Sequence, residues 1–162
     1  MIGPIGKMLL YGMGDQPKTL EEAQDRVEFT IFRPSYKPPE INKYGSLVLF
    51  GKDKYVRINY STNRTDSTIP ENHIQINEIM ADEEALNNPA AILQKEDRNI
   101  IGLHQVDVCG LRGYLGQAHV NQQKLVFVKD NTRILYTIYP TPLSEAEIVK
   151  MACSSQSILI PE

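Results

Sequence analysis

The sequence predicts an α+β fold: one curved, mostly antiparallel sheet of about six to eight strands, with an N-terminal and a C-terminal helix packed on it. Three observations predict this. Short alternating or continuous apolar runs bounded by Gly, Pro, Asn and Asp recur along the chain, among them "SLVLF", "KYVRINY", "HIQINEIMA" and "KLVFVKDNTRILYTIY". Two stretches, "TLEEAQDRV" and "PLSEAEIVKMACSS", carry helix-start signals followed by a helical apolar stripe. With 41% apolar and 23% charged residues in a length of 162, the chain has the size and mixture of one globular domain.

Residues 1–18 hold Gly3, Gly6, Gly12 and Gly14 with Pro4 and Pro17, residues that punctuate rather than propagate structure. They are expected to form a flexible or accessory lead-in, with the domain at 19–157 and a tail at 158–162. The first helix opens at Thr19 as N-cap with Glu22 at the capping-box spacing, and Leu20, Ala23 and Val27 form its buried stripe. A short strand follows over 29–32 and ends at Pro34, since proline has no N–H for a ladder. Strands are then expected at 46–50 and 54–60, joined by a tight turn at 51–53. After a polar loop over 61–72, a strand at 73–81 turns Ile74, Ile76 and Met80 inward, with Gln75, Asn77 and Glu78 at imperfect polar positions.

Residues 82–99 read as irregular or briefly helical: Asp82 can cap a first turn and Pro89 can open a second. Residues 103–110 and 112–119 make a strand pair split by Gly110 and Gly113. The last helix has Ser144 as N-cap, Glu147 at N3 and a staple from Leu143 to Ile148, with Ile148, Val149 and Ala152 facing inward.

The hairpin "KLVFVKDNTRILYTIY" raises the sharpest question, because both of its faces are apolar. With 129–132 as the loop, Leu125 faces Tyr136, Val126 faces Leu135 and Phe127 faces Ile134. One face then carries Leu125, Phe127, Ile134, Tyr136 and Ile138; the other carries Val126, Val128, Leu135, Thr137 and Tyr139. Each apolar side chain buried contributes roughly 1.5–3 kcal/mol, so both faces need a cover. The terminal helices cover one. For the second, four covers are open: other strands, the 82–99 segment, an apolar ligand or a protein partner. Val126, Val128, Leu135 and Tyr139 are therefore the candidate interaction surface.

Composition narrows the function classes. A net charge of −3 argues against a general nucleic-acid binder and against a binder of anionic membranes. No segment reaches the roughly 18–20 apolar residues that span a bilayer, and the start lacks the pattern of a signal peptide. A cytoplasmic protein, or one whose upstream targeting segment is not in this chain, both fit. Cys109 and Cys153 lie too far apart in sequence for a redox or metal motif and read first as small buried residues. A bridge between them requires the last helix to pack over the strand that ends near Cys109.

No catalytic or metal motif stands out. His73, His104 and His119 have no ligand spacing, although His104 and His119 could meet across a strand pair near Cys109. "GLRGYLG" lacks the strand-to-helix order of a phosphate loop, and Ser154, Ser155 and Ser157 lie in no nucleophile elbow. Arg33 and Lys37 flank the "PSYKPP" turn and could form a small basic edge. The expectation is a chain without enzymatic activity and without cofactor or metal.

Motifs at both ends resemble a bacterial, Firmicute-type extracytoplasmic domain of unknown function. The front carries "TLEEAQDRVEFTIFRPSY", in which Pro34, Ser35 and Tyr36 match directly. The back carries Val106, Val108, Gly110, Gly113 and Tyr114, then Leu125 and Phe127 with phenylalanine in the usual tryptophan place. Tyr136, Ile138, Leu143, Ser144, Glu147, Ile148, Lys150, Ala152 and Ser154 follow. Such domains follow membrane anchors in anti-sigma-factor-like, sporulation-associated and lipoprotein-carrier-like proteins. The resemblance implies an extracytoplasmic sensor or interaction domain that binds a protein partner through its sheet surface. The alternative is a small carrier that holds a lipid or other apolar ligand in the concave face. No anchor is present in this chain.

Overall fold

The computed structural model describes residues 17–39, 41–50, 55–62, 73–118, 122–139 and 143–159, with the backbone alone for 41–50, 61–62 and 73. The expected lead-in, apart from Pro17 and Lys18, lies outside the described residues, as do the 51–53 turn and most of the 61–72 loop.

The elements in chain order are α1 (Leu20–Gln24), β1 (Phe32–Pro34), β2 (Ile41–Phe50), β3 (Tyr55–Thr62), β4 (His73–Met80), α2 (Glu83–Asn87), α3 (Pro89–Glu96), β5 (Ile101–Val108), β6 (Leu111–Gln117), β7 (Gln123–Lys129), β8 (Thr132–Ile138), α4 (Glu145–Cys153) and β9 (Ser155–Ser157). The fold is α+β and its sheets are antiparallel. Seven strands form the main sheet in the order β2-β3-β4-β8-β7-β6-β5, and β1 pairs with β9 in a separate two-stranded ribbon. The single sheet expected from sequence is thus a main sheet plus a ribbon.

This order explains the second face of the hairpin. The chain leaves β4 in the middle of the sheet and re-enters at the far edge as β5. The α2–α3 connection has to cross β8 and β7 on the way, and it buries their outer row. Ala85, Ile92 and Leu93 pack with Val126 and Leu135 in one cluster, against partly buried Val128 and Tyr114. The candidate interaction surface is largely taken up within the fold by one of the four covers left open. Val126 is fully buried and Leu135 nearly so, while Val128 and Tyr139 are half-buried. The 82–99 segment is the cover, with Asp82 Oδ1 accepting the Ala85 N–H at 2.8 Å and Pro89 at the start of α3.

On the opposite face, Leu125, Phe127, Ile134, Tyr136 and Ile138 join Ile58, Ile74 and Ile76 in the main core, closed by α4 and by residues 27–32. The hairpin register agrees with the sequence reading, Leu125 opposite Tyr136 and Phe127 opposite Ile134. Its loop is shorter than expected, because Lys129 also pairs with Thr132 and Asp130 takes a left-handed φ of 53°. In α4, Ser144 Oγ accepts the Glu147 N–H, and both Leu143 and Ile148 are buried, as the staple requires. Met151 takes the inward place assigned to Val149, which only leans on the core.

Other departures have local causes. Residues 29–31 do not form a strand. The Gln24 side chain acts as a substitute peptide group there: its Nε2 donates to Phe29 O at 2.7 Å and its Oε1 accepts the Ile31 N–H at 2.8 Å. β1 starts at Phe32 and includes Pro34, tolerated because the ribbon leaves one side of β1 without a ladder. On β4, Glu78 rather than a polar outward residue continues the buried row of Ile74 and Ile76, whereas Met80 is 39% exposed. Ile158, placed in the tail by sequence, is buried, and its N–H donates to Ile31 O at 3.1 Å.

Candidate functional site

A cluster of polar side chains forms where the turn after β1 meets the end of α4. The turn after β1 has Pro34-Ser35-Tyr36. Ser35 directs both its N–H and its hydroxyl at Ser154 O, each at 3.0 Å, and the Tyr36 N–H donates to Ser154 Oγ at 2.9 Å. The Tyr36 hydroxyl donates to Glu147 Oε2 at 2.7 Å, and the Lys150 ammonium sits 4.1 Å from the centre of the Tyr36 ring. Residues that stand 111 to 119 positions apart in sequence are thus one cluster. Ser35 and Tyr36 are held by Glu147, Lys150 and Ser154. Ser154 and Ser155 serve as hydrogen-bonding junctions, their hydroxyls donating to Met151 O and Ala152 O.

This cluster fixes one wall of an open groove of about 530 Å³. Lys18, Thr19, Leu20 and Glu21 at the start of α1 form the opposite wall. Arg33 and Pro34 of β1, Ser35 and Lys37 of the turn, and Tyr60 of β3 complete it. Thr19 Oγ1 accepts the Glu22 N–H, and Glu22 Oε2 accepts the Lys18 N–H at 2.8 Å, so the α1 end of the groove is internally braced. The Lys37 ammonium lies 5.5 Å from the Tyr60 ring centre. Arg33 and Lys37, noted together in the sequence, both line this groove, and so does Lys18, which sequence spacing did not connect to them.

No family model and no curated protein matches this chain.

Under the ribbon lies a buried carboxyl. Glu78 Oε1 accepts the Phe32 N–H at 2.8 Å, while its Oε2 has no partner. Burial pushes the Glu78 carboxyl well above the ordinary carboxylate range, against the weaker opposing effect of the Phe32 N–H. Burial likewise raises the Tyr136 hydroxyl, partly offset by its hydrogen bond to Ser155. These groups pin the ribbon.

The cysteines are not two separate buried residues. Cys109, at a left-handed φ of 51° in the β5–β6 turn, is joined by a disulfide to Cys153 at the end of α4, with Cα atoms 5.4 Å apart. The condition set by the sequence, that the last helix packs beside this strand, is met. Near the other end of α4, His104 Nε2 meets Glu145 Oε1, and His104 Nδ1 donates to Gly102 O at 2.6 Å. These contacts, the Gly102 carbonyl foremost, raise the His104 pKa. His104 is thus engaged with a carboxylate, and His119, suggested as its neighbour across the strand pair, lies outside the described residues. Among the described residues no group of three His, Cys, Asp or Glu side chains is placed to hold a metal ion. No helix among them is long and apolar enough to cross a membrane.

Proposed function

We propose that this chain is a non-enzymatic recognition domain that binds a segment of a protein partner in the groove between α1, β1 and Tyr60. The observation that carries the reading is the groove itself. Its volume falls in the range of specific binding sites, and its walls are braced by hydrogen bonds before any ligand arrives. The hairpin surface is replaced in this role, because α2 and α3 already occupy it. The carrier alternative loses its motivating feature for the same reason: both apolar rows of the hairpin are packed against protein. The disulfide supports placing the domain in an oxidising compartment, in line with the extracytoplasmic side of a bacterial membrane.

A random-peptide display library panned on the full chain tests this. The expected result is one or more enriched sequence families whose binding is lost in Ser35→Trp, which fills the groove from an exposed position. The variant's thermal midpoint reports whether it still folds. Absence of any enriched family, or families that bind the folded variant unchanged, sinks the recognition reading.

A further inference from the structure

The β5–β6 turn carries an unusual residue at its tip. Val108 pairs with Leu111, so Cys109 and Gly110 are the whole loop. Their φ values of 51° and 87° are both left-handed, as a type I′ turn demands. Such turns favour Asn, Asp or Gly at the first position, because other side chains crowd the left-handed backbone. The β7–β8 loop follows that preference, with Asp130 in its left-handed place at φ 53°. In the β5–β6 turn the acid comes two positions early, where Asp107 Oδ1 accepts the Gly110 N–H at 2.7 Å, and a cysteine takes the tip. Cys109 is exposed there, while Cys153, its partner at the end of α4, is half-buried. Among the described residues, nothing lies within 4 Å of where a side chain on Gly110 would start, so the approach to the tip is open. Fastening α4 does not require an exposed sulfur; reaction with an outside thiol does.

We propose that Cys109 is a thiol–disulfide exchange site, opened by the dithiol of a partner protein while this chain stays folded. One partner thiolate attacks Cys109 Sγ, the more exposed of the two sulfurs. A new S–S bond forms to Cys109 and the Cys109–Cys153 bond breaks. Its electron pair leaves on Cys153 Sγ, which takes a proton from solvent. The partner's second thiolate then attacks its own bridged sulfur and expels Cys109, which is protonated in turn. The sum is a bridge reduced by two electrons and a partner dithiol oxidised to its disulfide. The released Cys153 thiol directly precedes Ser154, whose carbonyl and hydroxyl hold Ser35 and Tyr36, so the exchange takes place next to the contacts of the groove wall. The inference goes beyond the recognition reading and does not depend on it.

The test takes the oxidised full chain with dithiothreitol as the reductant, quenched with N-ethylmaleimide and followed by mass spectrometry. The rate of reduction should rise in proportion to dithiothreitol and stay unchanged in urea too dilute to unfold the chain. A rate that levels off with dithiothreitol and climbs with urea overturns the proposal, because the bridge would then be reached only through unfolding. Glutathione, a monothiol, locates the attacked sulfur. At early times, glutathione on Cys109 with maleimide on Cys153 should outnumber the reverse pattern by about tenfold or more. Equal or reversed labelling also overturns the proposal. Both readouts start from the oxidised, folded chain, so they decide the matter even where the reduced chain is less stable. The two readings fail separately: a groove that selects no peptide leaves the exchange result untouched, and a bridge reached only through unfolding leaves recognition standing.

Discussion

Removing the Cys109–Cys153 bridge isolates the worth of fastening α4 to the β5–β6 turn. The perturbation is Cys109→Ser with Cys153→Ser. Serine keeps a Cβ at the left-handed position 109, so backbone strain stays the same on both sides of the comparison. The bridge spans a separation of 44 residues. Closing a loop of that length removes about 13 cal/mol/K from the unfolded chain, or about 4 kcal/mol at room temperature. For a chain of this size, that corresponds to a fall in Tm of roughly 10 °C. Urea unfolding followed by far-UV circular dichroism, in the oxidised protein and in the variant, gives both the midpoint and the slope. The midpoint should fall, and the slope should rise, because an unfolded chain without the cross-link exposes more surface. A dithiol reductant should turn the oxidised protein into one that behaves like the variant. A loss below about 1 kcal/mol, with an unchanged slope, would refute the reasoning, since the bridge would then constrain nothing that the packed α4 does not already hold.

Three further outcomes are expected. With its pKa raised in the folded state, Glu78 favours folding fully below its ordinary value of 4.5, and that contribution is lost as pH rises through the folded pKa. Glu78→Gln should therefore flatten this decline and be the more stable protein at alkaline pH, as thermal midpoints measured across a pH series would show. Leu93→Ala empties a fully buried place between α3 and the hairpin and should cost about 2–5 kcal/mol, with faster amide exchange at Val126 and Leu135. Gln24→Ala strands Phe29 O and the Ile31 N–H without their partner and should cost about 1–3 kcal/mol in chemical unfolding.

Features governed by near neighbours were legible in the sequence. The pairing of Phe127 with Ile134 follows from two apolar rows around one turn, and the Ser144–Glu147 cap follows from spacing alone. Residues 82–99, read as irregular or briefly helical, form two helices that start where Asp82 and Pro89 allow, since both residues act within a few positions of themselves. Long-range choices were not legible. Which segment covers Val126 depends on β4 and β5 lying at different places in the sheet, a fact of topology that no local pattern carries. The cysteine bridge depends on the same topology. Glu78 was read outward because a carboxylate is usually solvated; its period-two match to Ile74 and Ile76 was the overlooked signal. Of the groove, Arg33 and Lys37 were visible as neighbours of one turn, but Lys18 joins them only after α1 folds back against it.

The β1–β9 ribbon also has a consequence for how the molecule is made. A nascent chain that has emerged through β8 already holds every strand of the main sheet. It does not yet hold Ser154, 118 residues after Tyr36, or the β9 residues that pair with Phe32, Arg33 and Pro34. Closing so long a loop is entropically slow and rewarded only once the far end arrives. Pro34 and Ser35 therefore wait, and the groove they wall is assembled after the sheet. The groove is tied to completion: a partly synthesised chain, or one clipped after α4, keeps most of its core yet lacks the contacts that hold Pro34 and Ser35 in the groove wall.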